Sequence, residues 1–297
     1  MRFQIVDAFT DTLFGGNPAG VVVIPDGKDY PEDEVMRRTA AELRYSETAF
    51  VRREGDGIFR TRYFTPAAEV ELCGHATIGS AYALMQLGMA RLGNTIRYET
   101  LAGPIDIALQ ENSILMDMAD PKAYGVIEGD EAVRELYRIM GISAEGQGVW
   151  SKNPSVQLKP EKISTGLIDI MLPVKDEEEL ERIAPDFPAL TELSRKYEVV
   201  GVHAFTVNGK DGLIHARNFA PLYDIDEEAA TGTSNGALAY YLYRYGVLTA
   251  DVVNTVIQGE KMGRPSRVDT RIVMQGGQPG VKVGGLAVTL AEGEINI

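Results

Sequence analysis

Short alternating runs of apolar and polar residues dominate the chain, and they predict strands more often than helices. Residues 3–9 read as a strand, followed by the glycine-rich turn Phe14-Gly15-Gly16-Asn17-Pro18-Ala19-Gly20 and a strand over 21–24. Residues 31–43 have helical spacing, with Val35, Met36, Ala40 and Leu43 on one side. Strands are predicted over 47–52 and 57–64, the second setting Ile58, Arg60, Arg62 and Phe64 against Phe59, Thr61 and Tyr63. Residues 74–87 are apolar almost all round a helix, the pattern of a helix buried on every side. Strands over 95–100, 104–109 and 114–118 complete this half. Beyond Asp120-Pro121 come a helix over 130–140, strands over 156–158 and 166–173, solvated helices over 176–183 and 189–197, and strands over 199–208 and 213–219. A second apolar helix follows over 233–245, then strands over 271–274 and 281–290.

The second half repeats the first. Ala49-Phe50 matches Ala204-Phe205, and Arg62-Tyr63-Phe64-Thr65-Pro66 matches Arg217-Asn218-Phe219-Ala220-Pro221, both at an offset of 155. An acidic loop then leads to a glycine opening each apolar helix, Gly74 and Gly232, at an offset of 158. A period this long excludes a solenoid. It predicts an α+β fold of two similar domains, 1–118 and 119–297, each a mostly antiparallel sheet wrapped on a central helix. Ligand sites favour domain interfaces, so a cleft between the two is the expected site.

Composition narrows the function. The 297 residues carry 29 basic and 43 acidic side chains, a net charge of −14, with no basic cluster longer than a pair. That argues against a nucleic-acid partner. One cysteine, Cys73, allows no internal disulfide, and His75, His203 and His215 lack the spacing of a metal site. No apolar stretch is long enough to span a membrane, and a charge falls too early for a signal peptide. A cytoplasmic protein without a metal is the expectation.

The two loop–helix junctions are the strongest site candidates. A helix N-terminus offers unpaired N–H groups and a positive dipole end, so Gly74-His75 and Gly232-Thr233 suit a carboxylate or developing enolate. Ordinary capping is the alternative. Aligning the halves sets His75 against Thr233, Cys73 against Thr231, and Glu47 against Val202. Only the first half therefore offers an acid, an imidazole and a thiol. Burial of Glu47 within its strand would push its carboxyl up toward the range of a general base. Gly232-Thr233-Ser234-Asn235-Gly236 fits a nucleophile elbow, but every histidine precedes Ser234, against the order that fold requires. No phosphate-binding glycine motif occurs, so a nucleotide cofactor has no support.

Asn17-Pro18-Ala19-Gly20-Val21, Ser46-Glu47-Thr48-Ala49-Phe50, Phe64-Thr65-Pro66, Leu72-Cys73-Gly74-His75-Ala76-Thr77 and Ala230-Thr231-Gly232-Thr233 together resemble the PhzF-like (phenazine-biosynthesis) isomerases, which share the diaminopimelate epimerase fold. The resemblance spans roughly residues 1–245. It implies a cofactor-free isomerase that moves a proton within a small carboxylate-bearing substrate. Glu47 then corresponds to the acid/base, with His75 and Glu228 assisting it. Asn17, Cys73, Gly74, Thr231, Gly232 and Thr233 are the implied substrate-binding residues. Glu228 and Ala229 stand where the family pattern has Asp and Pro, and Thr233 where it has Ser. Thr231 occupies the position of the second cysteine of two-base epimerases, and a hydroxyl is a poor proton carrier. The resemblance also admits a homodimer, and a final strand that crosses back onto the first domain. Three alternatives stay open: an amino-acid racemase or epimerase of the same fold, a hydratase or lyase using the same base, and a non-catalytic small-molecule-binding homologue.

Overall fold

The computed structural model describes all residues 1–297, which divide into one unit of Met1–Asp117 with Gly284–Ile297 and a second of Met118–Val283. In the first, β1 (Arg2–Ala8) pairs antiparallel with β2 (Asn17–Val23), and β2 lies parallel to β3 (Thr48–Gly55). β3 turns back into β4 (Ile58–Phe64), whose far edge takes the two-residue β5 (Glu69–Val70) and, in parallel, β6 (Thr95–Thr100). β7 (Gly103–Gln110) and β8 (Ser113–Asp117) extend the meander. Helix α1 (Asp33–Leu43) sets Met36 and Ala40 against Val22, Ile24, Phe50 and Phe64. Helix α2 (Gly74–Gln86) lies against β2, β1, β8 and β3, with residues 75–81 all buried. Its few hydroxyls are satisfied inside the core: Thr77 pairs with the Tyr63 hydroxyl at 2.6 Å, and Ser80 with that of Tyr98 at 3.1 Å.

The second unit runs β9 (Lys122–Val126), α3 (Asp130–Ile139), β10 (Glu161–Ser164), β11 (Ile168–Pro173), α4 (Glu177–Arg182), α5 (Phe187–Tyr197), β12 (Gly201–Thr206), β13 (Ile214–Ala220), β14 (Ile225–Glu228), α6 (Gly232–Arg244), β15 (Val253–Gln258), β16 (Ser266–Gln275) and β17 (Gln278–Gly285). The pairings reproduce those of the first unit. β10 is antiparallel to β11, β11 parallel to β12, β12 antiparallel to β13, and β13 takes the short β14 and the parallel β15. Helix α6 matches α2 at 13 residues each. The last strand, β18 (Ala287–Glu294), pairs with β1 as β9 pairs with β10. The two-domain α+β fold with a central apolar helix in each unit is thus what the chain adopts. The expected 119–297 is corrected at its end: β18 belongs to the first unit, where it covers the edge that β1 would otherwise leave open.

Register corrects the alignment of the halves. Thr48 lies opposite Phe64 in the first unit, whereas Val202 lies opposite Phe219 in the second. With Phe64 and Phe219 equivalent, Thr48 corresponds to Val202 and Glu47 to Gly201. Phe50 packs with α1, but Phe205 points to the other face, against α6, leaving Ala204 on the face that Phe50 occupies. The match of Ala49-Phe50 with Ala204-Phe205 was therefore one residue out, and a one-residue slip exchanges the faces of a strand. Gly201 is required where it sits, because a Cβ there would lie 1.9 Å from the Phe219 carbonyl oxygen.

Other expectations need correction. Residues 156–158 form no strand, only a single bridge between Gln157 and Val149. β9, β10 and β15 were not expected; β9 is exposed at all five positions, so burial left no alternation to read. Residues 281–290 are parts of two strands, broken at Leu286.

The units share a staple that pairing alone would not require. Arg62 grips Glu69 with two bonds of 2.7 and 2.6 Å and covers the Phe64 ring. Arg217 grips Glu227 with two of 2.8 Å and covers Phe219. Each ties the short strand leading to the apolar helix onto the hairpin before it. Arg217 also donates to the carbonyls of Leu180 and Ile183, and its side chain is only 8 % exposed against 21 % for Arg62. Removing one partner from a buried pair strands the other charge. Arg217→Met should cost about 3–5 kcal/mol. Arg62→Met, whose partner stays near water, should cost about 1–2 kcal/mol. Urea unfolding of both variants checks the order.

Candidate functional site

In the first unit, a turn delivers Asn17 to His75. Gly16 adopts φ +63°, and a Cβ there would lie 2.1 Å from the Ala8 carbonyl oxygen, so only glycine closes this turn. Asn17, the first residue of β2, then places its Nδ2 3.3 Å from His75 Nδ1. With that amide donating, the imidazole carries its proton on Nε2. Nε2 lies 3.3 Å from both Ser46 Oγ and Glu47 Oε2. Cys73 Sγ sits 3.4 Å from Nδ1. Asn17, Glu47, Cys73, Gly74 and His75 thus form one group in this unit.

Glu47 differs from its expected setting. It precedes β3 instead of lying within it, and its side chain is 19 % exposed. A carboxylate on the last residue before a strand reaches solvent while its strand neighbours Thr48, Ala49 and Phe50 stay buried. His75 is buried, which pushes its pKa below the usual value, and the nearby Glu47 charge only partly offsets this. The imidazole is therefore neutral at neutral pH and offers an uncharged donor beside the Glu47 carboxylate.

At the start of α2, Cys73 is extended, and its side chain does not cap the helix. The first helical bond runs from Thr77 N to the Cys73 carbonyl. The N–H groups of Gly74, His75 and Ala76 thus have no partner within the helix and point out of its positive end.

In the second unit, Glu228 ends β14, and Thr231, Gly232 and Thr233 open α6. Thr231 is likewise extended and leaves the first-turn amides uncapped. Its hydroxyl instead donates to Glu228 Oε2 at 2.8 Å. Gln258, fully buried at the end of β15, bonds to this same turn. Ser266 Oγ donates to the Ala229 carbonyl at 2.8 Å. Behind the helix start, Ser234 donates to Asp169 at 2.6 Å and accepts from Asn218, whose amide also meets His203 Nδ1 at 3.2 Å. Burial raises the Asp169 carboxyl to about 6, against bonds from Ser234 and the Gly201 N–H, and lowers His203 to about 3.

Sequence reasoning missed Gln258, Asn235, Asp169 and Asn218. Asp169 is the one polar residue of β11, and the other three lie among further polar residues of β13, β15 and α6, so no spacing marks any of them. Ser46 stood inside a quoted motif without a role. Two clusters of ligand-type atoms occur, the first already grouped by the sequence and the second hidden by its spacing. Glu47, Cys73 and His75 form one and Glu177, Asp211 and His215 another, each with its donor atoms within 4.8 Å of one another.

Comparison with known proteins identifies the family of the chain. The phenazine biosynthesis-like (PhzC-PhzF) family profile matches residues 6–293. The chain belongs to this family. An uncharacterized isomerase of Deinococcus radiodurans is 36 % identical over 98 % of this chain and 94 % of its own length. One from Bacillus subtilis is 33 % identical over 95 % and 94 %. A crystal structure of a PhzF-family phenazine biosynthesis protein from Bacillus anthracis superposes with a TM-score of 0.85 at 27 % identity, over 100 % of this chain and 99 % of that one. A probable proline racemase from Agrobacterium radiobacter shares the fold alone, with a TM-score of 0.66 at 13 % identity, over 100 % of this chain and 93 % of that one. No helix of this PhzF-family chain is long and apolar enough to cross a membrane.

Two measurements follow. Nitrogen-15 NMR should show His75 as the neutral Nε2–H tautomer at pH 7, and Glu47→Gln should lower its pKa further by removing the one charge that raises it. For Asp169, the folded value of about 6 exceeds the ordinary 3.8, so the native state binds the extra proton and stability falls as pH rises through that window. Asp169→Asn escapes this loss. Its stability relative to the parent should improve by about 3 kcal/mol between pH 4 and 7 on unfolding titrations, two pKa units being worth about that much.

Proposed function

We propose that the protein is an isomerase that moves a proton within a small carboxylate-bearing substrate. The observation that carries this is the contact of Glu47 Oε2 with Nε2 of the buried, neutral His75, at 3.3 Å. A carboxylate that is mostly buried but still partly open to solvent can reach a carbon-bound proton, and a neutral imidazole beside it can donate a hydrogen bond without itself being an acid of similar strength. In this reading Glu47 removes the proton. The amides of Gly74 and His75 at the positive end of α2 stabilise negative charge developing on the substrate. Glu47 then returns the proton to a different carbon. Asn17 fixes the imidazole ring, and Cys73 packs beside it.

In the second unit, the amides of Gly232 and Thr233 at the start of α6 are assigned to holding an anionic group, with Thr231 beside them, and Glu228 to proton placement. Named isomerases among the relatives support the reaction class. A racemase of this fold would need a second acid/base, and the Thr231 hydroxyl, donating to Glu228, is a weak candidate for it.

The test is proton NMR in D₂O with wild type and Glu47→Gln, over a panel of a dihydro-hydroxyanthranilate, diaminopimelate and common amino acids. Wild type should place deuterium on one carbon of one compound and yield a constitutional isomer. Glu47→Gln should lose about 10²–10⁴ in rate, the contribution of a positioned acid/base. Full turnover by Glu47→Gln would remove Glu47 from the mechanism, and an enantiomeric product on chiral chromatography would make the protein a racemase.

A further inference from the structure

Gln258 has a bonding pattern that goes beyond holding a strand end. Its side chain is fully buried, and of its four side-chain hydrogen bonds three go to the turn that carries Glu228 and Thr231 and the fourth to Asn235 in the first turn of α6. Nε2 donates to the Glu228 carbonyl at 2.8 Å and to Thr231 Oγ1 at 3.2 Å. Oε1 accepts from Asn235 Nδ2 at 2.7 Å and from the Thr231 N–H at 3.3 Å. Its orientation is not ambiguous, because a backbone carbonyl can only accept and a backbone N–H can only donate. Asn235 is fixed in the same way by donating to the Thr231 carbonyl at 2.9 Å.

Directionality follows. A threonine hydroxyl has one hydrogen. Because Gln258 donates to Thr231 Oγ1, that hydrogen is free to go to Glu228 Oε2, and at 2.8 Å it does. The chain Gln258 Nε2–H to Thr231 Oγ1–H to Glu228 Oε2 therefore runs one way. We propose that Gln258 is the positioning residue of the second unit's helix mouth: it fixes the 228–231 turn at the start of α6 and directs the Thr231 hydroxyl at the Glu228 carboxylate. Thr231 is then a bridge whose proton is committed, which makes it an aligning group for Glu228 and no proton donor to the substrate. The neighbouring Gly259 keeps this contact close, since a Cβ there would lie 2.6 Å from the Ala229 carbonyl oxygen. This inference rests on the isomerase reading for the role of Glu228, but not for the hydrogen-bond chain itself.

The experiment uses Gln258→Glu, which puts an acceptor where Nε2 donates, and Gln258→Met, which keeps the length without the bonds. Hydrogen–deuterium exchange by mass spectrometry reads the turn directly. Both variants should speed exchange in peptides covering 228–235 by about tenfold or more, with no change in peptides covering α2. Unchanged exchange across 228–235 in either folded variant overturns the proposal. If neither variant folds, Thr231→Val, which removes only the hydroxyl bridge, decides by its kinetics. A fall in kcat of about tenfold or more with KM held within about twofold supports alignment of Glu228, and unchanged kcat overturns it. A wild-type protein inert toward every compound of the panel counts against the isomerase reading alone. The exchange result still decides the Gln258 proposal in that case.

Discussion

A helix with no polar face can be stable only if something apolar encloses it, and both α2 and α6 impose this constraint. Neither has a charged stripe to turn toward water. Each is built of small and apolar residues that let strands approach from several directions. The residue at the N-cap of each, Cys73 or Thr231, is extended and leaves the first-turn amides without a side-chain cap. The chemistry-bearing side chains of each unit gather at that end.

The duplicated topology then sets up two unlike versions of one mouth. In both, an arginine over a phenylalanine clamps a glutamate and so anchors the short strand before the helix. What lies beyond that anchor differs. The first unit places an acid, an imidazole and a thiol around the helix start. The second places a glutamate whose partner is a threonine hydroxyl, held in turn by a buried glutamine. Two units with the same pairings can therefore hold quite different chemistry, because backbone pairing does not depend on which polar side chains sit at the strand ends.

The His75 environment shows how burial and geometry combine. Desolvation keeps the ring neutral, and the Asn17 amide decides which nitrogen holds the proton. That in turn depends on a turn which only glycine closes at position 16. A polar contact in the site thus traces back to a steric restriction eight residues from the first strand.

By itself, the sequence determined the fold class and the duplication, and it pointed to residues that the structure brings together around His75. The pattern of helices apolar all round and strands alternating on one face is local, and local patterns are legible in one dimension. Glu47, Cys73, Gly74 and His75 were legible because they sit in short contiguous motifs. Only the tertiary structure decided the rest. A strand exposed on both faces, such as β9, leaves no alternation. The offset between the halves looked constant at 155, yet pairing shows β12 one residue out of step, because the faces of a strand are set by its neighbours and not by its own letters. Gln258, Asn235 and Asp169 act through partners 23 to 65 residues away in the chain, and a hydrogen bond between distant positions leaves no periodic mark.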